Sequence, residues 1–190
     1  MFRRKKPKHK VAYVSALNSE KRAKEPSVSL DCGSDFVSSV QSLPSNNLFA
    51  TFSHDGIVRV YSIYTKGDVY REFSTHNTNV MSLVHLFSDV LAFVGDNGKI
   101  VTWHADSGEV VDELRPGKYH FTSIARYNAS LLVVGTVEGE VLIISHNEGR
   151  DLLVHESLGM LHTKTIKDIS VNGDIIVTGG TDKTLSLIHI

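Results

Sequence analysis

Short runs of β-branched and other apolar residues alternate along this chain with clusters of Gly, Asp, Asn and Ser, and no segment sustains the period of an amphipathic helix. Between Val80 and Leu114 the pattern predicts four strands, near Val80–Leu86, Val90–Gly95, Ile100–His104 and Val110–Leu114. Asp96-Asn97-Gly98 predicts the hairpin between the second and third strands, and Asp106-Ser107-Gly108 the one between the third and fourth. Tight hairpins need positive φ at their central positions, which Gly and Asn tolerate. Asp55-Gly56 and Lys66-Gly67-Asp68 repeat the arrangement upstream, and Glu138-Gly139 and Glu148-Gly149 repeat it downstream.

The repetition is regular. Segments beginning at Leu48, Val90, Leu131 and Ile175 align on the turn residues Asp55, Asn97, Glu138 and Asp182, which lie 42, 41 and 44 residues apart. A period in that range, with four short strands to a unit, is the signature of a β-propeller blade. Each four-stranded sheet then buries both faces only by stacking on its neighbours. The expected fold is all-β: three full blades and a partial fourth, spanning about 36–74, 75–117, 118–160 and 161–190, within a propeller region 28–190. Residues 1–27 form a separate basic tail, expected to be disordered.

These positions resemble the WD-repeat (tryptophan–aspartate repeat) propeller family over about residues 36–184. In that family each blade carries a His before its first strand, a Ser or Thr late in the second, an Asp in the following turn and a Trp in the third, which can form a hydrogen-bonded network. His76, His120 and His162 each stand four residues before a first-strand position, at Val80, Ile124 and Ile166. Asp55 follows Thr51 by four residues and Asp182 follows Thr178 by four; Trp103 stands six after Asn97, as Tyr61 does after Asp55. The departures are a missing Asp at the end of the third strand (Ser62, His104, Ser145), Phe93 with Asn97 in the second blade, and Val134, Glu138 and Ile144 in the third. The first blade lacks the His.

The fourth unit opens with His162, Thr178 and Asp182, yet Ile188 stands where the family has its aromatic. The closing LSLIHI resembles the read-through translation of a transposase end sequence used in DNA library preparation. That resemblance implies native sequence to near Thr184, with further blades beyond it, so that the chain is an N-terminal fragment of a larger propeller. An open arc of blades exposes sheet faces and strand edges, and self-association is expected of it.

Charge is uneven. Residues 1–24 hold nine Lys or Arg against one acid, while the rest holds 11 basic and 20 acidic side chains. The segment RRKKPKHK at 3–10 admits a nuclear-import, nucleic-acid or acidic-membrane reading, or that of a solvated tail. No aromatic residues interleave with its charges to stack bases. The single cysteine, Cys32, excludes an internal disulfide. The apolar stretch after residue 10 is too short and polar for a signal-peptide core, and no run reaches the length of a membrane span. A cytoplasmic or nuclear location is expected, in which the sequon Asn128-Ala129-Ser130 stays idle.

Catalytic and metal readings find little support. Of ten histidines, three occupy the repeat position, and none has HExxH or another recognised ligand spacing; His155-Glu156 lacks the second His. Gly179-Gly180-Thr181-Asp182-Lys183-Thr184 lacks the Gly-Lys pair opening a helix that a phosphate loop requires, and no GxSxG elbow exists. Asp168 and His85 are the few first-strand groups a propeller-fold hydrolase would use. The expected function is a non-catalytic scaffold of the WD-repeat type without cofactor or metal, binding protein partners, in particular a segment containing Lys or Arg. Its candidate face comprises His54, Asp96, Lys118, Tyr119 and Lys164, with Tyr119 as an exposed anchor. A subunit of an RNA-containing assembly, touching RNA through residues 3–10, is the alternative; a hydrolase ranks below it.

Overall fold

A computed structural model of the chain describes residues 30, 32, 35–43, 47–62, 64, 68–75 and 78–190. The expected basic tail at 1–27, the Lys66-Gly67 turn and His76 lie outside these residues. Among the described residues, fifteen strands form four antiparallel sheets. The first sheet runs β1 (Val37–Leu43), β2 (Leu48–Ser53), β3 (Ile57–Ser62) and β4 (Val69–Ser74). The second runs β5 (Val80–Phe87), β6 (Val90–Gly95), β7 (Ile100–His104) and β8 (Val110–Leu114). The third runs β9 (Phe121–Arg126), β10 (Leu131–Thr136), β11 (Glu140–Asn147) and β12 (Arg150–Met160). The fourth has three strands, β13 (Ile166–Asn172), β14 (Ile175–Gly180) and β15 (Leu185–His189). Each sheet is ordered by sequence, and no helix is present among the described residues.

The sheets are stacked by strand alternation. Leu91, Phe93, Val101 and Trp103 face the first sheet and pack on its Ala50, Phe52, Val58 and Val60. The intervening Ala92, Val94 and Ile100 face the other way, against Leu132, Val134, Leu142 and Ile144. Val133, Val141 and Ile143 then face the fourth sheet, meeting Ile166, Ile169 and Ile176. Three apolar layers therefore separate four sheets, and each fully buried large aliphatic side chain contributes about 1.5–3 kcal/mol to holding them. The first strands β1, β5, β9 and β13 lie side by side in that order, while β8 meets β12 toward the rim. Among the described residues no comparable packing joins β1 to β13. This is a partial β-propeller of about four blades.

The two ends differ. The face of the first sheet turned away from the second carries Thr51, Ser53, Arg59 and Tyr61, all buried, and Arg59 reaches the Cys32 carbonyl at 2.8 Å. The face of the fourth sheet turned away from the third carries Val177, Leu185 and Leu187, the two leucines 68% and 63% exposed.

One turn geometry recurs in all four sheets. The amide of residue 56, 98, 139 or 183 donates to the carbonyl three residues before it, and each of these residues has positive φ. Three of the turns press on the loop that enters the next sheet. The Gly56 carbonyl accepts the Thr75 amide at 2.9 Å, and that of Gly139 accepts Leu161 and His162 at 3.0 and 3.2 Å. A Cβ on Gly98 would come within 2.5 Å of the Tyr119 carbonyl oxygen, and one on Gly139 within 2.1 Å of that of His162. At the fourth turn the residue is Lys183, φ 70°, and among the described residues no loop presses on it. Glycine is therefore demanded twice over at 98 and 139, by φ and by contact, but only by φ at 183. Gly139→Ala is expected to cost more than about 2 kcal/mol in urea unfolding, combining left-handed strain with displaced hydrogen bonds. Lys183→Gly should change stability by less than about 1 kcal/mol.

Candidate interaction face

The four recurrent turns and the loops entering the first strands share one edge of the stack, the turn face. Each turn is closed on its own sheet by one bond: His54 N to Phe36 O, Asp96 N to Asn79 O, Val137 N to His120 O and Thr181 N to Thr165 O, at 2.9–3.0 Å. Three turns are further stiffened by their acidic or amide side chain, whose Oδ1 accepts the amide two residues on: Asp55 from Ile57, Asn97 from Lys99 and Asp182 from Thr184. In the third, the Thr136 hydroxyl accepts the Glu140 amide instead.

Among the described residues, only the fourth sheet joins His, Thr and Asp. The His162 side chain is fully buried; Nδ1 lies 3.1 Å from Asp182 Oδ1 and Nε2 lies 2.8 Å from Thr178 Oγ1. The neutral tautomer satisfies both, with Nδ1–H donating to the carboxylate and the Thr178 hydroxyl donating to Nε2. The Thr184 hydroxyl and the Thr163 and Thr184 amides also donate to Asp182, at 2.7, 2.9 and 3.1 Å. Led by the Thr184 hydroxyl, these donors hold the Asp182 carboxyl well below the usual carboxylate range.

The other sheets use different partners. In the first, Arg59 Nη2 sits 2.9 Å from Asp55 Oδ2 and takes the place of a histidine, while the Ser53 hydroxyl donates to Asp55 Oδ1. Burial works to raise the Asp55 pKa, but the bonds from Arg59, Ser53 and the Ile57 amide outweigh it and bring it from 3.8 to about 2. Thr51 and Tyr61 are buried on the same face, Tyr61 stacked on Phe49 at 5.2 Å. In the second, Asn97 Nδ2 donates to Thr78 Oγ1 at 2.8 Å, and a Cβ on Gly95 would strike the Thr78 methyl, much as one on Gly180 would strike His162. Trp103 is 4% exposed, edge-on to Phe73 at 5.2 Å. In the third, His120 and Glu138 pair at 3.0 Å on the surface, both largely exposed. Arg59 and Thr78 escaped the sequence reading. The clue to Arg59 is a charged residue between Val58 and Val60 in a strand otherwise apolar on both sides.

On the turn face, Asp96 is exposed and bonded to Asn79 Nδ2 at 2.8 Å, His54 stacks on Phe36 at 3.8 Å, and Lys164 is exposed. The Lys118 ammonium lies over the Tyr119 ring at 4.7 Å. Tyr119 is not the exposed anchor expected of it: it is half-buried, stacked on Phe121 and packed against the second apolar layer. Asp168 accepts the amide of the next residue, Ile169, at 2.9 Å, and His85 Nε2 donates to the Ser88 carbonyl at 2.7 Å, so the two groups are engaged separately. Among the described residues no group of three or more His, Cys, Asp or Glu is placed to hold a metal, and no helix is long and apolar enough to cross a membrane.

The family model for the WD domain, G-beta repeat, matches residues 24–62 and 157–189, the two stretches that contain Asp55 and Asp182. No curated protein matches the chain. Among solved structures it is similar to the computationally designed Ika4 protein, with 20% identity and a TM-score of 0.69 over 87% of this chain and 98% of that one. It is also similar to a chain in the crystal structure of the Mitotic Checkpoint Complex, with 17% identity and a TM-score of 0.71 over 81% of this chain. It spans 49% of that chain's length. At these identities the likeness concerns the fold.

Both depressed carboxylates tie stability to pH with the same sign. Their contribution is complete above the ordinary carboxylate pKa near 3.8 and is lost as pH falls through the lowered values, so the melting temperature should drop between about pH 4 and 2. Asp55→Asn and Asp182→Asn should each lower stability at neutral pH and flatten this acid limb, as followed by thermal melts across that range.

Proposed function

We propose that this WD-repeat protein is a non-catalytic interaction platform whose turn face holds a polypeptide segment carrying Lys or Arg. The observation that carries the reading is the construction of that face. Four turns of one geometry are fixed by backbone bonds, two are bonded to the next loop and a third lies close against it, and side chains are presented on a scaffold that loses little entropy on binding. Asp96 is exposed on the face and bonded to the neutral Asn79, and Glu138, paired with His120, is exposed next to it along the arc. Residues 25–190 hold more acidic than basic side chains, so the body attracts basic segments during encounter. His54, Lys118 and Lys164 line the same edge and set which sequences fit. The fold is shared with a chain crystallised in the Mitotic Checkpoint Complex, which agrees with a role in assemblies.

The separate engagement of Asp168 and His85 supports binding over hydrolysis. A cytosolic or nuclear location goes with this reading. RNA contact through RRKKPKHK at 3–10 remains the second reading, favoured by the concentration of charge there.

Selection of peptides on the immobilised protein, followed by calorimetry, tests the primary reading. Selected sequences should be enriched in Lys or Arg, and the double reversal Asp96→Lys with Glu138→Lys should weaken them at least about tenfold, roughly 1.4 kcal/mol. Asp168→Asn should leave them unchanged. Selected peptides without basic residues, or binding indifferent to the double reversal, would overturn the assignment.

A further inference from the structure

Between the first two sheets, toward their outer strands, the apolar layer is incomplete. A cavity of about 220 Å³ is walled by Phe73, Phe93, Val101 and Trp103, with Val58 on the first sheet and Val110 at the mouth. Its origin lies in where one turn seats. In the third sheet, Gly149 of the turn between β11 and β12 presses inward on the second sheet: its carbonyl accepts the Thr102 hydroxyl, and a Cβ there would come within 3.1 Å of Val90. The equivalent turn of the second sheet meets the outermost strand of the first instead, where a Cβ on Gly108 would come within 2.0 Å of the Phe73 ring. Phe73 is held out over Gly108, edge-on to Trp103, and among the described residues no side chain fills the space inside it.

The volume exceeds that of the engineered cavity of about 150 Å³ that binds benzene, so one aromatic ring fits. Three aromatic walls offer edge and face contacts to it. The rim is polar and neutral overall: Lys99 Nζ and Glu113 Oε1 pair at 2.5 Å, with both side chains part-exposed, and Thr75 and Ser74 stand beside them. An ammonium and a carboxylate set side by side complement the C=O and N–H of a peptide group, and they disfavour a ligand with net charge of either sign. We propose that this cleft is a binding site for a single aromatic side chain, of phenylalanine type, presented by a partner polypeptide whose flanking amides engage Lys99 and Glu113. The site is independent of the basic-segment reading of the turn face.

Trp103 is the only tryptophan in the chain and forms one wall, so it reports occupancy directly. N-acetyl-phenylalaninamide, excited past its own absorption, should produce a saturable shift of the Trp103 emission with a dissociation constant on the order of 1 mM. N-acetyl-alaninamide should produce none. Val110 is 62% exposed, so Val110→Glu should leave the melting temperature unchanged, yet a charge at the mouth should weaken the probe at least about tenfold. The reversal of Asp96 and Glu138 should not affect the probe, which separates failure of this site from failure of the turn face. No saturable shift, an equal response to the alanine probe, or an unaltered response in Val110→Glu would overturn the proposal.

Discussion

The second and third sheets of this protein are apolar on both faces, and a sheet of that kind is stable only when a neighbour covers each side. The rest of the structure follows from meeting that demand by repetition. Alternation along β6 and β7 sends Leu91, Phe93, Val101 and Trp103 to one layer and Ala92, Val94 and Ile100 to the next, so a single sheet contributes to two cores. Such stacking makes stability a property of nearest-neighbour interfaces. It also makes the two ends special. The first end places an ion pair on its outer face and draws the backbone at Cys32 over it; the last leaves Leu185 and Leu187 in water.

Stacking alone would let the sheets slide, and the turn face is where sliding is prevented. Apolar layers are non-directional, whereas a carbonyl at residue 56 or 139 that accepts from the loop of the next sheet fixes both height and angle. The His–Thr–Asp network acts within one sheet, tying the entering loop to the turn of that same sheet. Because several chemistries can do that, the network tolerates wide substitution. Arg59 does it with a buried ion pair, Thr78 with a hydroxyl, His120 with an exposed contact to Glu138. The glycine carbonyls have no such substitutes.

This division explains what was legible in the sequence. Strand alternation and turn chemistry are local, and the strands expected at Val90–Gly95, Ile100–His104 and Val110–Leu114 occur with those bounds. The near-constant spacing of Asp55, Asn97, Glu138 and Asp182 carried the repeat and with it the stacked arc. Partners of the buried polar groups were not legible, because they are chosen in three dimensions. Nothing in the order of residues says that Arg59 reaches the Cys32 carbonyl, or that Tyr119 turns inward onto Phe121 and leaves Lys118 above it. Side-chain burial at a loop depends on the register of the sheet on either side, which a motif does not encode.

The same reasoning locates where such a fold acquires binding capacity. A layer packed to the density of an organic crystal has no room for a ligand, so specificity must arise either on the rigid turn face or where stacking is locally imperfect. The imperfection between the first two sheets is not a general looseness. It is confined to one side of Trp103, and it exists because the turn holding Gly108 bears on Phe73 of the outermost strand rather than further in. A single contact of that kind alters one interface while the close approach at Gly98 and the bonds at Gly139 keep the others in register. Repeat architecture thus separates the residues that hold the arc together from those free to shape a pocket.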